Sequence, residues 1–143
     1  MPAPRLVTFV LAISFVAVGA LFVAAPGVIF GVFDRLGAAA GLKGMPAGDA
    51  NPGLFRVLAG AYMYLVALLA WKAFRNPTEP VWPEVMAHAK LASAALSLAL
   101  LAFHGAFVVY LVNGLVDLSI GFAALWLRAA ARNCGRDRAS DSN

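Results

Sequence analysis

The sequence predicts an all-α, polytopic membrane protein, with four transmembrane helices in an antiparallel bundle and both termini on the cytoplasmic side. Three observations carry this. Of 143 residues, 62% are apolar and only 13% are charged, with a mean hydropathy of +0.82, far from the balance of a soluble domain, where about a quarter of residues are charged. Four apolar runs are each long enough to cross a hydrocarbon layer of about 30 Å at about 1.5 Å per residue. Proline and glycine interrupt the chain between those runs, where helices must end.

The first run, Leu6 to Ala25, is uncharged and follows Arg5. It is longer than a signal h-region of about 7 to 15 residues and is read as a retained helix. Pro26-Gly27 then breaks it, and Val28 to Phe33 forms an apolar segment too short to span, ending at the membrane surface. Residues Gly37 to Pro52, rich in glycine and proline, predict a long loop on the outer side. The second spanning helix covers Gly53 to Phe74, started by Asn51-Pro52. A proline-rich turn from Arg75 to Pro83 leads into the third, Glu84 to His104. The fourth, Ala106 to Leu127, follows so closely that these two must form a hairpin. Residues 1–128 thus make one membrane domain, and 129–143 a mobile basic tail held near anionic headgroups.

Counting bases orients the bundle. Arg5, Lys72, Arg75, Lys90, Arg128, Arg132, Arg136 and Arg138 fall on the side of the termini, against Arg35, Lys43 and Arg56 on the other. This bias places both termini in the cytoplasm of a bacterial-type cell, with the chain in the inner membrane. Trp71, Trp82 and Trp126 all fall at the same inner boundary, as an aromatic belt requires. The net charge of +4 is therefore a matter of topology and gives no ground for a nucleic-acid partner. A single cysteine, Cys134, rules out an internal disulfide and a multi-cysteine metal site.

The polar residues inside these runs are the candidates for function. On the fourth helix Tyr110, Asn113, Gly114, Asp117 and Gly121 recur every three or four residues and share a face. On the third, Lys90, Ser93, Ser97 and His104 fall in one sector, so the two polar stripes should face each other. The second helix offers Arg56, Gly60 and Tyr62, with Gly60, Gly114 and Gly121 as points of close helix contact. A carboxylate at mid-membrane costs on the order of 2.5 to 3.5 kcal/mol and must be paired, protonated or turned inward. Depth estimates place Asp117 roughly 17 Å from the outer boundary and Lys90 roughly 9 Å from the inner one, its side chain leaning toward the helix N-terminus and the inner surface. On that reckoning the partners of Asp117 are Tyr62, Asn113, Ser93 or Ser97, and not Lys90.

Three functional classes follow. The absence of a catalytic motif and the small-residue faces point to a non-catalytic accessory or structural subunit, in a larger membrane complex or a homo-oligomer. Asp117 with its serine and lysine stripe points instead to a small transporter or proton-conducting element. His88 and His104 raise haem or chlorophyll binding. They stand about 24 Å apart on one helix, so they cannot ligate opposite faces of one haem, and single axial ligation or ligation shared with another chain is what remains. No cofactor is predicted by any other residue pattern, and no metal site.

The order of features, a first helix ending in proline, a glycine-rich loop, RVLAGAY at Arg56 to Tyr62, the RNP turn and a final helix holding an acid and ending in WLR, resembles the DoxX-like group of small four-helix bacterial membrane proteins. The resemblance covers nearly the whole chain. It implies a compact four-helix bundle and a role as a small subunit of a membrane redox complex, with Arg56, Gly60, Tyr62 and Asp117 as positions to test.

Overall fold

The computed structural model describes residues 3–44 and 52–140, with side chains at all of these except 52, 54–56 and 135–140. The described residues form five helices joined by short turns: α1 (Ala3–Ala24), α2 (Pro26–Ala40), α3 (Pro52–Arg75), α4 (Val81–Phe103) and α5 (Val108–Ser140). Four of these, α1, α3, α4 and α5, are long and apolar enough to cross a membrane. α2 has 15 residues and is too short to do so.

Each boundary has a local cause. Pro26 cannot donate to the preceding turn, so α1 stops and α2 starts with proline at its first position, where the missing N–H costs nothing. α2 ends on Gly41, whose positive φ of 66° lets the Leu42 N–H donate to Gly37 O and close the helix. α2 therefore takes up the apolar segment after Pro26 and also residues 37–40, where the sequence predicts loop. Ala38-Ala39-Ala40 are strong helix formers that outweigh the flanking glycines. Of the rest of the predicted loop, residues 41–44 form a turn and a backbone bridge from Lys43 to Phe107, and residues 45–51 lie outside the described residues.

α4 begins at Val81, one turn earlier than the sequence predicts, because Pro83 sits within the first turn, where a proline is tolerated. Gly105, with φ of 126°, turns the chain between α4 and α5. That link is tied to the end of α2: the Lys43 N–H donates to Ala106 O at 3.0 Å, and the Val108 N–H donates to Lys43 O at 2.8 Å. α5 continues to Ser140, well past the predicted end at Leu127, so the segment from Ala129 is helix where a mobile tail is expected. Its first turns stay attached to the bundle, with Ala131 buried and Arg128 and Arg132 reaching Glu84 of α4 at 3.0 and 3.8 Å.

The bundle is two close pairs. α4 packs along α5 and α1 along α3, and α3 also packs on α4. Glycines set the approach of the first pair: a Cβ on Gly114 would lie 2.9 Å from Leu98 Cδ2, and one on Gly121 2.7 Å from Leu91 Cδ2. In the second pair Gly19 plays this part, with Met63 Cβ only 2.9 Å from where its own Cβ would be, and Gly60 sits against Val23. The three predicted packing glycines, Gly60, Gly114 and Gly121, thus all lie at helix contacts. Thr8, Ala12 and Phe15, spaced four and three apart, form the buried stripe of α1.

The tightest packing lies in the half of the bundle that holds both ends of the chain. Val66, Ala70, Met86 and Ala124 are fully buried there, and Ala12, Phe15, Ala87 and Leu127 join them. At the terminal end itself, Arg5, Asn76, Pro83 and Ala131 surround a cleft of only about 10 Å³, no more than one water needs.

Candidate functional site

The polar stripes of α4 and α5 do face each other, in the middle of the bundle. At their centre Lys90 Nζ donates to Asp117 Oδ1 at 2.8 Å. Lys90 is 1% exposed and Asp117 3%, so this pair is withdrawn from any surrounding medium. The ammonium also lies 4.8 Å from the ring centroids of Phe15 on α1 and Tyr62 on α3, within the range of a cation–π attraction. Every spanning helix therefore contributes to the surroundings of one lysine.

This pairing corrects the depth argument made from sequence. Gly114 meets Leu98 and Gly121 meets Leu91, which sets the levels of α4 and α5, so that Asp117 is level with Ala95 and Lys90 lies five residues along α4 from there, roughly 7.5 Å below Asp117. Lysine's four-carbon stem closes such a gap. The side chain was expected to lean back along its own helix to water. With α4 starting a turn earlier, at Val81, that route is longer, and the ammonium turns instead to the carboxylate and the two rings.

The remaining polar residues form a second set one turn further from the terminal end. Asn113 Nδ2 donates to Ser97 Oγ at 2.7 Å and to Ser93 Oγ at 3.4 Å. The Tyr62 hydroxyl donates to Ala89 O at 3.3 Å. None of Tyr62, Ser93, Ser97 or Asn113 bonds to Asp117, as the sequence had suggested they would. Asp117 Oδ2 is buried without a hydrogen-bond partner among the described residues.

Above the charged pair a pocket of about 280 Å³ opens inside the bundle, lined on its polar side by Tyr62, Ser93, Ser97, Tyr110 and Asn113. Its opposite wall comes from α1 and α2, through Phe22 and Phe33. Sequence reading missed these two, as well as Phe15. α1 is apolar all round, so no stripe marks which of its rings turn inward, and α2 carried no spanning signal. Of the remaining candidates, His88 and His104 are both exposed near opposite ends of α4 and belong to neither polar set. Arg56 lies in α3, and its side chain falls outside the described ones. Among the described residues no three of His, Cys, Asp and Glu gather as metal ligands would.

Chemically, the arrangement is a charge pair neutralised in place, a packed apolar layer on one side of it and a polar pocket on the other. The class it defines is a four-span helical bundle with a charge-compensated centre. Compared with known proteins, the chain matches no family model, no curated protein sequence and no solved structure.

Proposed function

We propose that this protein is a non-catalytic subunit of a larger membrane assembly, held in shape by its internal ion pair and joined to its partner through the outer face of α1 and α3. The observation that carries this is Tyr64, which is 71% exposed at the middle of α3. By helical rise it stands roughly 16 to 18 Å from either end of that helix and roughly 10 Å from Trp71, the ring at the inner boundary, farther than a tyrosine can lift its hydroxyl. Its hydroxyl has no hydrogen-bond partner among the described residues. A hydroxyl left unpaired in hydrocarbon costs a few kcal/mol. Ser119, also exposed, shows the contrast, since its hydroxyl donates to Leu115 O at 2.8 Å within its own helix.

The surroundings of Tyr64 suit a helix. Ile13, Val16, Leu68 and Trp71 border, with Tyr64, an apolar groove of about 220 Å³ between α1 and α3. A partner helix lying there would supply the acceptor that Tyr64 lacks and cover apolar side chains with packed ones. The resemblance to the DoxX-like group points the same way, towards a subunit of a membrane redox complex. Solubilisation in a mild detergent, followed by mass measurement of the intact particle, tests the reading. A discrete species heavier than the 14.9 kDa chain is expected, and a lone chain under the mildest conditions contradicts it.

A second reading, a small proton-conducting element, draws support from Asp117 Oδ2, an unpartnered acceptor below a polar pocket. Against it stands the closed layer from Val66 to Ala124 on the far side. Flux through reconstituted vesicles that is lost in Asp117→Asn would carry this reading. No flux for the wild type, or flux indifferent to the substitution, removes it.

A further inference from the structure

The pocket above the ion pair has the features of a binding site in its own right, independent of whether a partner covers Tyr64. Its volume of about 280 Å³ is a little under twice that of the 150 Å³ cavity that accommodates benzene in other proteins, so it fits one aromatic ring with a short substituent. No charged side chain lines it, and the pair beneath is internally compensated, so nothing there would repay the desolvation of an ionic ligand. Phe22, Phe33, Tyr62 and Tyr110 supply four rings around it, suited to edge or offset stacking against another ring.

Its hydrogen-bonding capacity is open at one end. Asn113 spends its amide N–H groups on Ser97 and Ser93, which leaves its carbonyl oxygen as an acceptor. The Tyr110 hydroxyl makes no hydrogen bond to another described residue. Asn113 and Tyr110 are three residues apart on α5 and thus neighbours on one face. They offer an acceptor and a donor within reach of a single polar group.

We propose that this pocket binds a small uncharged aromatic molecule bearing a hydroxyl group, a phenol-like ligand, with the ring among the aromatic side chains and the hydroxyl between Asn113 and Tyr110. Entry is from the bilayer: Tyr62, Ser93, Ser97 and Leu100 also line a groove on the outer seam of α3 and α4.

The test uses the full-length protein in lipid nanodiscs, with empty nanodiscs as the background, and 4-methylphenol as the probe. Saturable binding above that background is expected, at least tenfold tighter than for toluene, which has the same ring without the hydroxyl. 4-Methylbenzoate, the charged counterpart, should show none. Tyr110→Phe removes a hydroxyl that holds nothing in the fold, so it should weaken 4-methylphenol at least fivefold while leaving toluene and the thermal midpoint unchanged. Asn113→Leu should weaken 4-methylphenol more strongly, and should also lower the thermal midpoint because it removes the bonds to Ser97 and Ser93. The proposal is overturned if 4-methylphenol only partitions as it does into empty nanodiscs, if toluene binds equally well, or if Tyr110→Phe leaves the discrimination intact.

Discussion

Lys90 reaches Asp117 because two helices meet in a particular register, and its stability there comes from several weak partners at once. One carboxylate oxygen at 2.8 Å and two rings at 4.8 Å surround its ammonium. Removing one member of a buried pair strands the other, which costs about 3 to 5 kcal/mol, whereas replacing both by apolar residues of similar size is often neutral. Asp117→Asn is therefore expected to lower stability by about that amount, read as an earlier midpoint in an SDS titration of the protein in mixed micelles. Lys90→Met combined with Asp117→Leu should recover most of the loss. A single variant as stable as the wild type would show that the pair holds nothing together. At this scale the sequence was half legible: Asp117, Ser93, Ser97 and Asn113 could be placed on facing stripes from their spacing, but which of them bond depended on the register between α4 and α5, which no spacing within a single helix reports.

Among the elements, the α4–α5 hairpin is the tightest unit, and its closeness depends on glycines that no side chain can replace. A Cβ on Gly121 would meet Leu91 at 2.7 Å, so Gly121→Val should force the helices apart and cost about 1 to 3 kcal/mol. Gly31 in α2 is the control. Nothing lies within 4 Å of its would-be Cβ, and Gly31→Ala should be neutral or stabilising by about 0.4 to 1 kcal/mol. Thermal unfolding of the two variants side by side checks both signs. The four spanning helices were legible because apolar runs bounded by proline announce themselves. α2 was not, because 15 residues of mixed apolar and small character give no span, and its helicity depends on packing against α1 and α5. The end of α5 was hidden for a related reason: its polar composition reads as a tail, while Ala131 and the arginines near Glu84 keep it on the bundle.

On the scale of the whole molecule, the inside and outside of the bundle tell different stories. Its interior compensates its charges and packs one end shut, and it leaves Asp117 Oδ2 without a partner among the described residues, below the pocket. Its exterior carries Tyr64, a mid-helix hydroxyl with no partner among the described residues, beside an apolar groove. What covers that groove therefore decides whether this chain is a subunit. The most direct measurement places a photo-crosslinking amino acid at Leu68, next to Tyr64, and separately at Phe122, an exposed position on α5, and irradiates native membranes. A single protein adduct of defined mass from Leu68, lost on adding Tyr64→Leu and absent from Phe122, is the predicted result. Equal labelling of lipid from both positions, with no protein adduct from either, would contradict it.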